Sequence, residues 1–194
     1  MIDVVAGALA LCALTPLFVA ISVAIVVDSG FPIFYRQTRV GRGFQLFSIL
    51  KFRSMRANAG GPSLTVAGDT RITTVGAILR ATKLDELPQL WNVIVGEMSL
   101  VGPRPEVPAY VKLFPDRYRN LLQMRPGITD PASIRFRHEE KILAASADPF
   151  QTYSEQILPL KLVLAEQYIE NWSLSADLKL IFQTLRAMKR DPQS

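Results

Sequence analysis

Residues 4–27 carry no charge, and nearly every one of them is apolar or small, whereas every Lys and Arg lies after residue 35. A helix over residues 3–27 would be roughly 37 Å long, enough to cross a hydrocarbon core of about 30 Å. The start, Met-Ile-Asp, lacks the basic n-region of a secretory signal, and the run is too long for a simple h-region. Thr15-Pro16 sits midway along it. Proline inside a helix removes a hydrogen bond and clashes with the preceding turn, so the pattern predicts a kink or break there, with the Thr15 hydroxyl available to the freed carbonyl. Two topologies follow: a spanning helix, or a re-entrant one that leaves on the side it entered. Arg36, Arg39, Arg42, Lys51, Arg53 and Arg56 follow with no acid among them, which predicts a cytoplasmic C-terminal flank. Hydropathy alone favours spanning.

After a turn at Asp28-Ser-Gly-Phe-Pro32, residues 33–35 and 44–50 read as short strands joined through Gly41-Arg-Gly43. Residues 57–69, rich in Gly, Pro, Ser and Ala, read as a loop. Residues 73–80 and 84–94 read as helices, the second with Leu87, Leu90, Trp91 and Ile94 on one face. Val101-Gly-Pro-Arg-Pro105 is stiff and extended, because each proline restrains the residue before it. Residues 107–114 and 116–124 read as helical, and 125–129 as a turn. Helical periodicity over 150–170 (Ile157, Leu160, Leu164, Tyr168) precedes a last helix, capped by Ser173 or Ser175, that runs through Leu178, Ile181, Phe182 and Leu185 to Arg190. No repeat or domain-scale linker appears. The predicted fold is mostly α with a short β-hairpin: a membrane-inserted N-terminal helix over 1–30 and one compact domain over 31–194.

Composition sharpens this. The 194 residues are 49% hydrophobic, with a mean hydropathy of +0.20, and the excess is concentrated in the N-terminal run. Net charge is +5, from 22 Lys+Arg against 17 Asp+Glu. A basic surface beside an apolar segment points to anionic membrane lipids or phosphorylated substrates. No zinc-finger spacing, aromatic RNA-binding motif or Lys/Arg run points to nucleic acid. Cys12 is the only cysteine and His138 the only histidine, so an intrachain disulfide is impossible, and a zinc site or Ser-His-Asp triad within one chain has little support. Polar chemistry must rest on carboxylates, Lys/Arg and a metal.

Asp85-Glu86 lies among Arg80, Lys83 and Arg104. A carboxylate can attack phosphorus and form an acyl-phosphate, provided nearby cations neutralise the incoming phosphate. A divalent cation at Glu86 would add charge that side chains rarely supply. The plain alternative is an acidic pair at a helix start, worth about 0.3–1 kcal/mol. Taken in isolation, the pair favours that alternative, and Arg104 alone favours a surface arginine. Lys51-Phe-Arg53-Ser-Met-Arg56 suits phosphates or headgroups, and equally suits basic residues snorkelling at an interface. His138-Glu139-Glu140 reads as solvated charge. Trp91 and Trp172 read as interfacial anchors or core residues.

Taken in order, Lys51-Phe-Arg-Ser-Met55, Leu84-Asp-Glu-Leu-Pro-Gln-Leu90, Gly96-Glu-Met-Ser-Leu-Val-Gly-Pro-Arg-Pro105 and Arg125-Pro-Gly-Ile-Thr129 resemble the bacterial sugar transferase family, the monotopic phosphoglycosyl transferases. The resemblance covers essentially the whole chain. It implies transfer of a sugar phosphate from a UDP-sugar to undecaprenyl (polyprenyl) phosphate, opening assembly of O-antigen, capsule, exopolysaccharide or a related glycan. It further implies Asp85 as nucleophile with release of UMP, Glu86 as Mg2+ ligand, and Lys51, Arg53, Arg80, Arg104 and Arg125 as phosphate or substrate contacts. The N-terminal helix would be re-entrant, broken at Thr15-Pro16 where the family has Ser-Pro, with the catalytic domain at the cytoplasmic face of the bacterial inner membrane. Two departures stand out. Many members continue after the Arg125 motif with Gly-Trp-Ala-Gln-Val-Asn, whereas this chain has Asp130-Pro-Ala-Ser-Ile-Arg135-Phe-Arg137, a region expected to shape the sugar pocket. Basic residues before the first helix are also missing. No large multi-span region precedes the apolar run, as in the family's minimal form. Apolar surface beyond the membrane helix would support a homodimer. The competing functions are a membrane glycosyltransferase that releases UDP and a membrane-anchored binding module without catalysis.

Overall fold

The uncharged N-terminal run forms α1 (Ile2–Ser29) in a computed structural model that describes residues 2–57, 59–61 and 64–189. By length and composition α1 could cross a membrane, and little of it is buried. Helical structure continues without interruption through Thr15 and Pro16, where the sequence predicts a kink or break. The Thr15 hydroxyl donates to the Leu11 carbonyl at 3.0 Å. Pro16 frees the carbonyl four residues back, at Cys12, so the expected rescue by Thr15 goes to the neighbouring acceptor instead.

Both ends of α1 rest on the body. Near its start, Asp3 accepts from the Ser99 hydroxyl at 2.7 Å, and Gly7 lies against Leu90, Val93 and Ile94. Near its end, Ile21 and Ile25 are buried with Phe52 and Leu79, and Phe18 meets the Phe52 ring at 5.1 Å between centroids.

The predicted hairpin is β1 (Phe34–Val40) and β2 (Leu46–Phe52), antiparallel with Phe34 opposite Phe52 and Val40 opposite Leu46. Beyond it, Thr73 caps α2 (Thr74–Thr82) by accepting from the Gly76 amide at 3.0 Å. Gly76 allows α2 to meet the end of the hairpin: a Cβ there would lie 2.0 Å from the Ser54 carbonyl oxygen. The predicted helix over 84–94 divides into a tight 3-10 turn at Leu84–Glu86 and α3 (Gln89–Ile94), with Pro88 as the N-cap of α3. Trp91 is exposed rather than in the core.

The stiff segment begins as β3 (Ser99–Val101), and residues 127–129, predicted as part of a turn, form β4 (Gly127–Thr129), parallel to it. Here Gly102 and Gly127 touch backbone to backbone, since a Cβ on Gly127 would sit 2.1 Å from the Gly102 nitrogen. No side-chain pattern reveals so short a parallel pair. Around it stand α4 (Pro108–Val111), α5 (Pro115–Leu121), α6 (Pro131–Arg135), α7 (Glu139–Ala144), α8 (Pro149–Thr152), a π-turn over Tyr153–Ile157, α9 (Leu158–Glu170) and α10 (Leu174–Lys189). The main core joins Val40, Tyr110, Tyr118, Leu143, Leu158 and Leu162. Ser173, one of the two predicted caps, bonds the Ala176 amide, and the predicted end at Arg190 lies outside the described residues, as do positions 58, 62 and 63 of the loop. The observed architecture is mostly helical, with small two-stranded sheets.

Because the Ser54–Gly76 contact is backbone on backbone, Gly76→Ala is expected to lower unfolding free energy by about 3 kcal/mol. Denaturant titration checks this; a wild-type midpoint would refute the close-contact account.

Candidate active site

Lys83 ends α2 in the left-handed conformation (φ 59°), which swings the chain into the turn carrying Asp85 and Glu86. This backbone state is uncommon for a residue with a side chain. Two distant segments close on the turn. Lys51, near the end of β2, donates to Glu86 Oε1 at 2.8 Å. Arg104, just beyond β3, grips the same carboxylate with both terminal nitrogens, bonding Oε2 at 3.2 Å and Oε1 more closely. Burial pushes the Glu86 carboxyl up, but the Arg104 and Lys51 charges outweigh it and hold the group well below the usual range. The carboxylate in turn raises the Arg104 guanidinium. Burial lowers the Lys51 ammonium despite Glu86 and Asp85 beside it.

Asp85 is in the opposite state. It is 6% exposed, and its Oδ1 is buried with no hydrogen-bond partner. Desolvation raises its carboxyl, opposed by Lys51, Lys83 and Arg80. Two adjacent carboxylates thus differ in kind: Glu86 is a neutralised anchor, whereas Asp85 keeps an uncommitted oxygen in a cationic setting.

Arg80 acts electrostatically on Asp85, but its guanidinium pairs with Glu140 of α7 and reaches the Ser54 hydroxyl at 3.5 Å. Glu140, read from sequence as solvated, is therefore the partner of a site arginine. Arg53 is not presented to this site. It is buried, and its terminal nitrogens donate to the Ser29 carbonyl (2.9 Å) and hydroxyl (2.7 Å), the Gly30 carbonyl (2.6 Å) and the Phe31 carbonyl (2.8 Å). The predicted phosphate contact is a cap on the end of α1, because a guanidinium satisfies carbonyls that a helix terminus leaves open. Arg125 also stands apart. It is exposed on an open cleft of about 420 Å³ lined by Arg42, Gly43, Gln45, Leu46, Phe47, Gly96 and Glu97, none of them a predicted site residue.

Two supporting residues escaped the sequence reading. Asn92 accepts from the Leu50 amide at 3.0 Å and donates to the Ser48 carbonyl at 2.8 Å, fixing β2 against α3 beside Lys51. Glu106 accepts from Arg39 at 3.2 Å and from the Tyr153 hydroxyl at 2.5 Å, while Arg39 also donates to the Pro105 carbonyl at 3.0 Å. Burial pushes the Glu106 carboxyl up, but Arg39 and Lys161 hold it low. The Arg104 segment is thereby tied down on its far side. Neither residue belongs to a local motif, and only contacts across the fold reveal them.

Among the described residues no three His, Cys, Asp or Glu side chains gather to hold a metal. Mg2+ needs only one or two carboxylates when phosphate oxygens and water complete its shell. Glu86 Oε2, which accepts at 3.2 Å from Arg104, keeps a lone pair for such a sparse set. Lys51, Arg80, Lys83 and Arg104 oppose a bare dication, so the donors fit Mg2+ that arrives on a phosphorylated ligand.

The chain is similar in sequence to known proteins. A UDP-glucose:undecaprenyl-phosphate glucose-1-phosphate transferase of Caulobacter vibrioides is 38% identical over 192 residues, covering 96% of this chain and 68% of the relative. The exopolysaccharide production protein ExoY of Sinorhizobium fredii is 36% identical, covering 96% of this chain and 83% of its own. A UDP-N-acetylgalactosamine-undecaprenyl-phosphate N-acetylgalactosaminephosphotransferase of Aeromonas hydrophila is 37% identical over 96% of this chain but 42% of its own length. The family model for bacterial sugar transferases matches residues 1–191, and the chain belongs to that family.

Proposed function

We propose that this protein moves a sugar 1-phosphate from a UDP-sugar to undecaprenyl phosphate, as the names of its relatives state for them. The observation that carries the reading is the buried, unpartnered Asp85 oxygen in a ring of cations. In the first step Asp85 attacks the phosphorus that bears the sugar. A bond forms between the carboxylate and that phosphorus, the bond to the bridging oxygen breaks, and UMP departs. In the second step a phosphate oxygen of the polyprenyl acceptor attacks the same phosphorus, giving a lipid diphosphate sugar and restoring the carboxylate. Arg104 and Lys51, held against Glu86, offset the charge that gathers on the phosphoryl oxygens. Mg2+ held through Glu86 would supply further neutralisation of the diphosphate when bound. Arg80 can exchange Glu140 for a phosphate oxygen.

The chain sits at the cytoplasmic face of the bacterial inner membrane, with both ends of α1 held on that side. Support comes from the two ends of α1. A 28-residue helix is about 42 Å long, yet Asp3 and Ile25 both contact the same body. A helix crossing the bilayer would draw that polar body into hydrocarbon. Product analysis separates this function from its rivals: UMP is expected, UDP would indicate a glycosyltransferase, and neither would indicate a binding module.

Asp85→Asn is expected to lower turnover by about four orders of magnitude and to abolish a phosphosugar adduct seen by intact mass after incubation with UDP-sugar and Mg2+. An adduct on Asp85→Asn would refute Asp85 as nucleophile. The two neutral isosteres should differ in stability. A raised folded-state pKa means the ionised Asp85 opposes folding at neutral pH, so Asp85→Asn should melt no lower than wild type. Glu86 has a depressed folded-state pKa, so its contribution is present above its unfolded pKa and lost as pH falls through the folded one. Glu86→Gln leaves Lys51 and Arg104 uncompensated and should cost about 3 kcal/mol. Finally, the acidic limb of kcat/KM should lie above the ordinary aspartate pKa of about 3.9, with activity lost as pH falls through it. A limb at or below that value would show that burial does not govern Asp85.

A further inference from the structure

Two acids open α7, and the fold gives them different partners. Glu140 pairs with Arg80 of α2, whereas Glu139 pairs with Lys161 of α9. Lys161 is only 9% exposed, and an ammonium taken out of water needs close compensation. Its other contacts are uncharged: the Tyr153 hydroxyl oxygen at 3.5 Å, the Tyr153 ring with its centroid at 4.9 Å, and the Phe136 ring at 6.0 Å. Ring faces attract a cation weakly. Among the described residues, Glu139 is the one carboxylate that Lys161 pairs with directly.

Lys161 stands directly behind the active site. With Arg104, Glu106 and Asp130 it lines an internal cavity of about 30 Å³. The anions around that cavity are committed elsewhere: Glu106 is bonded by Arg39 and Tyr153, and Asp130 accepts from the Ser133 amide at 2.7 Å. Glu139 has Lys161. Its charge nevertheless reaches Arg104, as do those of Glu86 and Asp130. A carboxylate that acts on a phosphate-binding cation subtracts from the attraction the cation offers an incoming diphosphate. The first turn of α7 therefore places two such carboxylates near the site, and one of them is held by a buried lysine.

We propose that Lys161 is a positioning residue for phosphate binding: by holding Glu139 against α9, it leaves Glu140 as the one acid of that turn to engage Arg80 and keeps Arg104 open to phosphate. Lys161 itself touches no substrate. The proposal rests on the reading of Arg104 and Arg80 as contacts for the diphosphate of a UDP-sugar. Without the ammonium, Glu139 would stay charged with no cation of its own, and would compete with phosphate for Arg104.

Calorimetry of UDP binding by the full chain in detergent micelles with Mg2+ tests this without choosing a sugar. Affinity and the number of competent sites are read separately, so a purely structural defect lowers the site number and leaves Kd alone. Lys161→Met is expected to weaken UDP binding about tenfold at an unchanged site number, the scale of one partly screened charge–charge contact. Glu139→Gln should bind UDP at least as tightly as wild type. Combining the two substitutions should return Kd to within about threefold of wild type. These last two variants carry the test if Lys161→Met does not fold, since removing both partners of a buried pair leaves no uncompensated charge. A wild-type Kd for Lys161→Met would overturn the proposal, as would weakened binding by Glu139→Gln or a double variant that stays about tenfold weak. A lower site number with Kd unmoved would make Lys161 a structural residue only. If wild type itself binds no UDP, the diphosphate reading fails, and this proposal falls with it.

Discussion

The buried charge of Glu86 is the constraint on which the site depends. A carboxylate removed from water is tolerated only with close, well-oriented cations, and here they come from opposite directions: Lys51 from the hairpin and Arg104 from the segment after β3. The pairing joins residues 35 and 18 positions away to one turn of backbone. Asp85, its immediate neighbour, inherits the cationic surroundings without being consumed by them. A single pair of side chains thus provides both the staple and an open carboxylate oxygen.

Close backbone approach makes that convergence possible. Gly76 lets α2 descend onto Ser54, which sets where the turn at Leu84–Glu86 begins, and Gly102 with Gly127 lets the Arg104 segment lie directly on β4. Polar groups behind these contacts keep them in register. Asn92 clamps β2 through its amide, and Glu106 draws Arg39 and Tyr153 onto the carbonyl side of Pro105. Each removes freedom from a residue next to a cation of the site rather than from the cation itself.

The sequence foretold the parts of this that local chemistry controls. Turn residues and alternation marked the hairpin, prolines marked the stiff Arg104 segment, and the ordered motifs named Lys51, Asp85, Glu86 and Arg104, which the structure gathers in one place. It misread whatever is decided by contacts between remote segments. Arg53 looked like a phosphate contact because it shares a basic motif with Lys51, and a spacing of two would place both on one face of a strand, but Arg53 lies just past the end of β2 and open carbonyls at the end of α1 were within its reach. Glu140 looked solvated until α7 was placed against α2. The β3–β4 pair is too short to announce itself, and periodicity in α10 gave the helix but not the direction its leucines face.

The Arg53 cap has a mechanical corollary. Its guanidinium clasps the last carbonyls of α1, and Lys51 stands two residues earlier on the same chain, about 7 Å along an extended backbone. Any sliding or tilting of α1 is therefore delivered almost directly to a cation whose charge acts on the Asp85 carboxylate. The apolar helix acts as a levelling arm for the site, setting its elevation relative to whatever surface the helix rests in. A substrate whose reactive phosphate is fixed at the depth of a lipid headgroup would meet that carboxylate at one height only.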